Sequence, residues 1–318
     1  MIEKGEDRKM YFSKDSLKRA RDYIENNARP LEKTRFRYHF NSGPADDVII
    51  ELKEYQNTDG GFGNALESDL RAPESSALCT SVAFQVLREV GKYDPDEMTT
   101  KAIGYLLDTF DNEKITWRII PKTAEHYPHA PWWLQKGREE QFNTFSLNLT
   151  AELVSYLMDY GKDIAPESLI QKILDKVMTY LVGLDEIEMH DFLCFKRLYE
   201  SKNINAKVKE QLIVQLQRLL RTAVSLNSTE WERYSLRPIQ AVDKSDSPFY
   251  PALRETVTEN LDYEIKTFQP NGSWPLTFSW GDIFPEIQQE IQREWSGVFN
   301  LKKLLTLKAY GRIEGYES

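Results

Sequence analysis

The chain has 318 residues and a formal net charge of −9 at pH 7, with 41% hydrophobic and 29% charged residues. This composition is typical of a folded, water-soluble protein and disfavours disorder. Because a surface that binds polyanions needs clustered Lys and Arg, the acidic balance excludes nucleic acid as an expected partner.

The sequence has no segment typical of a secretion signal or a membrane anchor. Residues Met1–Arg8 are charged, and no run of roughly 18 apolar residues occurs, so we expect a cytoplasmic protein without stable membrane insertion. Cys79 and Cys194 are too few for a disulfide framework and lie in apolar helical surroundings, which favours reduced, buried thiols. The sequence predicts no cofactor and no bound metal, and it does not indicate a protein partner.

Helical periodicity of apolar residues dominates the chain, and Ile115–Ile120 is the single stretch that reads as a strand. The pattern therefore predicts an all-α fold. The predicted helices are Lys14–Ala28, Asp46–Gln56, Ser75–Val90, Asp96–Phe110, Phe145–Tyr160, Glu167–Val182, Glu186–Glu200, Ala206–Leu220, Ala252–Phe268 and Ile287–Tyr310.

Three of these helices end in the same way. Gly91, Gly161 and Gly311 each follow a helix, each stands four residues after a leucine, and each precedes a basic residue. This order is typical of a left-handed glycine cap with a cation at the negative helix end. The recurrence indicates an internal repeat.

A second recurring element is a turn between paired helices. Tyr55–Phe62 and Phe268–Trp274 both place an aromatic residue and a glutamine before a glycine, and another aromatic after it. Glycine permits a tight turn, the glutamine amide can bridge backbone groups, and the aromatic ring can pack between hairpins. The matching positions are Gln56, Gly60 and Phe62 in the first turn and, with one residue deleted, Gln269, Gly272 and Trp274 in the second.

This turn resembles the Gln-x-x-x-Gly-x-aromatic repeat of the terpenoid cyclase and protein prenyltransferase superfamily, over about Asp46–Gly91 and Leu261–Arg312. The resemblance implies an α/α toroid, a double ring of helical hairpins around a central cavity, formed by residues 1–318 as one domain. It also implies a small-molecule ligand in that cavity. Periodicity alone would equally permit an open solenoid.

The superfamily's catalytic motifs are not matched. The string nearest to its Asp-x-Asp-Asp acid is Asp94–Glu97, where Asp96 is predicted to cap a helix instead. Asp46–Asp47 lacks the third aspartate of a magnesium-binding Asp-Asp-x-x-Asp motif, and neither cysteine matches a zinc site.

The loop that follows the first turn is a candidate functional segment. Glu67 and Asp69 form a carboxylate pair that can act as acid and base, and Arg71 is a candidate for binding a substrate carboxylate or another anion. The alternative is that Arg71 pairs with one of these carboxylates and only stabilises the loop.

A second candidate is the proline-bordered stretch His126–Trp133. His126 and His129 are candidates for proton transfer, and Trp132 and Trp133 for binding an apolar or sugar face. With no third ligand nearby, the two histidines are a weak metal signal. We expect this loop and the Glu67–Arg71 loop to meet at one mouth of the cavity; the alternative is that they lie at opposite ends.

Beyond the second turn, Trp280 is a further candidate for substrate binding, although packing explains it equally well. The nearby Asp282 is predicted to be a surface or capping residue.

Three functions remain open from the sequence. The resemblance and the aromatic clusters favour a cavity enzyme that acts on an apolar, isoprenoid-like ligand. A carbohydrate-active lyase or hydrolase could use the Glu67 and Asp69 pair, with tryptophans stacking on sugar. A non-catalytic ligand- or protein-binding scaffold would need no catalytic set, and the chain contains no complete one.

Overall fold

The computed structural model describes residues 9–316, and these residues are mostly helical with very little strand, so the predicted all-α fold class is confirmed. Within these residues, the one sheet is a short antiparallel hairpin of β1 (Phe110–Asp111) and β2 (Thr116–Trp117). The helices are α1 (Lys14–Asn27), α2 (Pro30–Phe40), α3 (Ala45–Lys53), α4 (Ala77–Glu89), α5 (Glu97–Asp108), α6 (Glu139–Phe142), α7 (Leu147–Tyr160), α8 (Glu167–Val182), α9 (Met189–Tyr199), α10 (Ala206–Ala223), α11 (Pro238–Ala241), α12 (Tyr250–Thr267) and α13 (Gln288–Ala309).

All of the predicted helices are present, but α2 and the two four-residue helices α6 and α11 were not predicted. The longest of these, α2, has eleven residues. Its apolar pattern is weak because the helix buries a charged group among its apolar residues. Glu32 is fully buried and accepts hydrogen bonds from Arg29 at 2.8 and 2.9 Å. Burial alone would raise the pKa of Glu32, but the charges and hydrogen bonds of Arg29 and Arg35 outweigh it and lower the pKa.

The chain divides into two compact units. Unit 1 contains the described residues up to Asn41, Val224–Ser279 and the chain from Gln292 onward. Unit 2 contains Ser42–Ala223 and Trp280–Ile291. Among the described residues, no helix is both long and apolar enough to span a membrane.

In unit 2, α7 is the central helix. Every residue from Leu149 to Tyr160 is buried, and the helix packs against α4, α5, α8 and α9. A helix enclosed on all sides is expected to be apolar all round. However, α7 carries two buried carboxylates, Glu152 and Asp159, so its position depends on polar contacts as well as on apolar packing.

The neighbouring helices provide the hydrogen bonds that these carboxylates need. Arg197 donates to Glu152 at 2.8 Å, and Arg88 donates to Asp159 at 2.7 Å. The other donors to Glu152 are the side chains of Ser81, Gln85, Tyr156 and Cys194. Burial would raise the pKa of Glu152, but Arg197 and these donors lower it, so the carboxylate is ionised in the core.

In unit 1, the two ends of the described chain pair with each other. Phe12 forms a parallel bridge with Ile313, its N–H donates to Arg312 O at 2.7 Å, and its carbonyl accepts from Glu314 N at 3.0 Å. The Phe12 ring also stacks on Trp274 at 5.4 Å. Backbone hydrogen bonds therefore hold Phe12, which precedes α1, next to Ile313, which follows α13, and ring stacking packs Phe12 on Trp274.

The two repeated turns have the same backbone geometry. Gly60 and Gly272 have φ values of +89° and +90°. A Cβ would lie 2.4 Å from the carbonyl oxygen of Lys101 at the first glycine and 2.5 Å from that of Arg19 at the second. Both positions therefore require glycine for two reasons: the backbone adopts the left-handed conformation, and a helix backbone approaches too closely for a Cβ.

The hydrogen bonds of the turns correct the sequence alignment. Asn57 N donates to Gly61 O at 2.9 Å, and Gln269 N donates to Ser273 O at 3.0 Å. Gln269 therefore occupies the position of Asn57, and no residue is deleted between the turns. Gln56 bridges two carbonyl oxygens, as its residue type predicts, at 2.8 and 2.9 Å.

The helix ends confirm two of the three predicted glycine caps. Gly91 and Gly311 have φ values of +71° and +59°, and the residue after each donates to the leucine carbonyl five residues earlier, at 2.9 and 2.8 Å respectively. Gly161 does not adopt the left-handed conformation, since its φ is −101°. The predicted cap is wrong there because the backbone continues into a turn in which Ala165 N donates to Gly161 O.

These matches define a structural repeat. The side chain of Thr80 in α4 accepts from Phe62 N at 3.1 Å, and that of Asn300 in α13 accepts from Trp274 N at 3.2 Å. Each acceptor stands eleven residues before its capping glycine, since 91 − 80 and 311 − 300 are both 11. The helix that contacts the turn glycine is α5 in the first repeat and α1 in the second.

Candidate functional site

The two loops that the sequence singles out lie together in unit 2. Leu70 and His129 form an antiparallel bridge. On either side of it, Arg71 N donates to Pro128 O at 3.0 Å and Ala130 N donates to Asp69 O at 2.9 Å. The two loops therefore meet, and the alternative that they lie at opposite ends is wrong. That they meet at the mouth of a central cavity stays a prediction.

A folded-back backbone brings the first loop to this position. Asn64 and Ala65 adopt φ values of +53° and +60°, a conformation that is uncommon for alanine. A Cβ on Gly63 would lie 2.4 Å from the carbonyl oxygens of Pro73 and Glu74, so the two ends of the loop pack closely together. This closely packed turn directs the segment from Glu67 to Arg71 toward the His129 loop.

Asp69 is the buried carboxylate of the site, with 4% of its surface exposed. Its Oδ1 accepts a hydrogen bond from Trp280 Nε1 at 2.7 Å. Trp280 is itself buried, so its indole packs and donates at the same time. The segment Trp280–Ile291 follows the second repeated turn as the Asp69 loop follows the first, so the site combines equivalent loops of two repeats.

His129 is the buried imidazole of the site. Its Nδ1 lies 2.7 Å from the carbonyl oxygen of Tyr127. Because a carbonyl only accepts, we assign the proton to Nδ1, which leaves the lone pair on Nε2. The ring lies 5.7 Å from that of Phe284, which lies 6.3 Å from that of Trp280. The histidine therefore joins an aromatic cluster next to Asp69.

Arg71 forms an ion pair with Glu290, which lies 219 positions later in the chain, in the first turn of α13. Sequence reasoning considered Glu67 and Asp69 as partners of this arginine and missed Glu290. Nothing distinguishes Glu290 from the other charged residues of an amphipathic helix, so only the fold reveals the pair. Phe284 was also missed, because its contacts with His129 and Trp280 are likewise visible only in the fold.

The remaining candidates lie nearer to solvent. His126 is exposed at the end of a 3₁₀ turn, Lys122–His126. Trp132 is 39% exposed, whereas Trp133 and Glu67 are partly buried. The structure therefore places Asp69, rather than Glu67, next to the buried aromatic residues.

Among the residues that the structure describes, no group of three or more His, Cys, Asp or Glu side chains is arranged to hold a metal ion. The acidic string nearest to a cyclase motif has a structural role instead. Asp96 caps α5, as predicted, since its carboxylate accepts from Thr99 N at 2.8 Å within a capping box.

Comparisons with known proteins do not add a family to this geometry. The chain matches no family model, no curated protein and no solved structure.

Proposed function

We propose that the protein is an α/α toroid of the terpenoid cyclase and prenyltransferase type. The two equivalent turns support this proposal, because α1 contacts the second turn glycine as α5 contacts the first. In a ring of helical hairpins, the N-terminal helix has to follow the last hairpin. The pairing of Phe12 with Ile313 is the contact that such a closure requires.

We propose further that the joined loops bind a small, apolar, isoprenoid-like ligand. The observation that carries this proposal is the buried Asp69 carboxylate next to Trp280, Phe284 and His129. Aromatic faces bind apolar groups and stabilise developing positive charge through their quadrupoles. Trp132 and Trp133 would extend the apolar surface toward solvent.

The residues allow acid–base chemistry on such a ligand. His129 Nε2 carries a lone pair that can accept a proton, since the proton is on Nδ1. Asp69 is the group that would hold or deliver a proton at its carboxyl oxygen, and the Trp280 hydrogen bond orients it. The ion pair of Arg71 with Glu290 would hold the loop backbone in place during this exchange.

The test is a binding titration with farnesol, followed by tryptophan fluorescence, with native mass spectrometry of the purified protein for a retained lipid. We expect Asp69→Asn to weaken binding at least tenfold, because an amide oxygen accepts a hydrogen bond from the farnesol hydroxyl more weakly than a carboxylate oxygen does and the amide cannot exchange a proton. Asp282→Asn is the matched control, since Asp282 is exposed on the segment that contains Trp280. An equal loss of farnesol affinity in Asp69→Asn and Asp282→Asn would contradict the proposal, and so would the absence of farnesol binding by the unaltered protein.

One observation favours a carbohydrate ligand as the second candidate. Trp132 presents 39% of its surface to solvent, and sugars stack on exposed indoles. Glu67 and Asp69 would then act as the carboxylate pair. A cello-oligosaccharide in the same titration separates the two candidates, and Trp132→Ala should abolish sugar binding. Binding of neither ligand would favour the scaffold function.

A further inference from the structure

Unit 1 contains a cleft that the proposed function does not use. It has a volume of about 140 Å³ and is lined by one face of α1, by the end of α2 and by Tyr316. None of its lining residues belongs to the joined loops. The volume is close to that of a cavity that holds one benzene molecule, about 150 Å³, so it limits the apolar part of a ligand to a single ring.

One wall of the cleft is cationic. Lys14, Lys18 and Arg21 are spaced by four and three residues on α1 and therefore lie on the same helix face. Arg21 is held by Asp22 at 2.9 Å, and both side chains are largely exposed. Among the described residues that line the cleft, there is no carboxylate. Two carboxylates lie beside this wall, since Asp22 pairs with Arg21 and Glu314 accepts from Lys14 N at 3.3 Å, but the side chains that line the cleft itself are cationic.

The opposite wall is aromatic. Phe36 and Phe40 stack at 4.9 Å with an interplanar angle of 13°, and Tyr316 meets Phe40 edge-on at 5.6 Å. The Tyr316 hydroxyl donates to Phe40 O at 2.7 Å, so the ring is fixed in place. Lys308 Nζ lies 5.1 Å from the Phe40 ring and 5.5 Å from the Tyr316 ring, which adds a fourth positive charge beside this wall.

We propose that this cleft binds a small organic anion that consists of one ring and one acidic group, such as an aryl phosphate or an aryl carboxylate. The anionic group contacts Lys14, Lys18 and Arg21, which provide charge-assisted hydrogen bonds. The ring packs on Phe36, Phe40 and Tyr316. An inorganic anion uses one wall and a neutral ring uses the other, so only a ligand with both parts uses the whole cleft.

The experiment is a titration of the full chain by isothermal calorimetry at low salt, with phenyl phosphate, benzoate, inorganic phosphate and benzylamine as probes. We expect phenyl phosphate to bind at least tenfold more tightly than inorganic phosphate, and benzylamine not to bind. Because exposed charges are screened, the affinity should fall as salt is raised. Equal affinities for phenyl phosphate and inorganic phosphate would overturn the aromatic half of the proposal, and binding of benzylamine would overturn the anionic half.

A variant pair tests the location. The double substitution Lys18→Gln with Arg21→Gln should weaken phenyl phosphate binding at least tenfold, since two charge-assisted contacts are lost. Lys207→Gln is the control, because Lys207 is an exposed lysine of α10 in unit 2. Both substitutions are at partly or fully exposed positions, and unchanged melting temperatures would verify folding. Unaltered binding in the double variant would overturn the proposal.

Discussion

Two neighbouring glycines in the first repeated turn are constrained for different reasons. Gly60 needs the left-handed conformation, whereas Gly61 has no positive φ and is limited by space alone. A Cβ on Gly61 would lie 2.6 Å from Ser75 Cβ and 2.8 Å from a ring carbon of Tyr105. The close approach of the loop and α5 therefore explains why the turn contains two consecutive glycines.

Replacing Gly61 with Val should lower the free energy of unfolding by about 3 kcal/mol, because a branched side chain would overpack this region. Gly104 is the matched control, since nothing lies within 4 Å of its Cβ position in the interior of α5. Gly104→Ala should raise the free energy of unfolding by about 0.5–1 kcal/mol through helix propensity. Urea denaturation measures both, and an unchanged midpoint for Gly61→Val would contradict the turn geometry.

Asp191 is a residue whose burial should be visible in the pH dependence of stability. Burial raises its pKa from 3.8 to about 6, and the charge of Glu188 adds to the rise. Since the folded-state pKa exceeds the unfolded one, the protonated carboxyl favours the folded state below about pH 3.8. That contribution is lost as the pH rises through 6.

Asp191→Asn should therefore increase stability at pH 7 by about 1 kcal/mol, and it should have little effect near pH 3.5. The measurement is chemical denaturation from pH 3.5 to 7. Asp175→Asn, at an exposed position of α8, provides the same chemical change for comparison. If the difference in the free energy of unfolding between the two variants did not grow between pH 4 and 6, the conclusion that the partly buried Asp191 carboxylate destabilises the folded state would be wrong.

At the scale of the element, α7 shows how one helix organises unit 2. It is enclosed by four helices, and each buried carboxylate on it binds side chains from different neighbours. Apolar packing alone would tolerate rotation of the helix, whereas directional hydrogen bonds to Glu152 and Asp159 select one orientation. The cost is that removing one charge leaves its partner buried and unpaired.

Glu152→Gln should lower the free energy of unfolding by about 3 kcal/mol, since Arg197 would keep its charge without a counterion. The lowered pKa of Glu152 gives the sign of the pH effect: its contribution is present above the unfolded-state pKa and is lost as the solution is acidified. Glu210→Gln, at an exposed position of α10, is the control. Equal midpoints for the two variants in urea would refute the role assigned to this network.

At the scale of the whole molecule, the pairing of the chain ends has a direct consequence. Phe12 and Ile313 are bridged, so a short linker that replaces the residues outside 9–316 can join the two described ends without straining unit 1. Asp185 and Glu186 are exposed between α8 and α9, so new ends at this point should be tolerated.

We therefore expect a circular permutant that opens between Asp185 and Glu186 to fold, with a melting temperature within about 5 °C of the natural chain. Circular dichroism and thermal denaturation measure this. A permutant that opens between Gly60 and Gly61 is the matched comparison and should fold poorly, because it cuts the turn that packs on Lys101. Similar behaviour of the two permutants would count against the repeat assignment.

The helices and the repeated turns could be predicted from the sequence because their signals are local. Apolar residues at helical spacing, a capping Asp96, and glycines after Leu87 and Leu307 depend on neighbours within a few residues. The missed helix α2 marks the limit of this approach. Its buried Glu32 is stabilised by Arg29 and Arg35. Because a charged residue stands at a buried position where an apolar one is expected, the helical spacing of apolar residues is not visible in the sequence.

The site was predictable in outline, because polar, proline-bordered loops on a repeat scaffold are expected to gather at a common opening. Which residues meet was decided by tertiary structure alone. Trp280 reaches Asp69 across 211 positions, and Arg71 reaches Glu290 across 219. Such pairs depend on where the chain places two distant loops, and no pattern within either loop contains that information. Local sequence therefore determined the helices and turns, and the packing of repeats determined the chemistry they bring together.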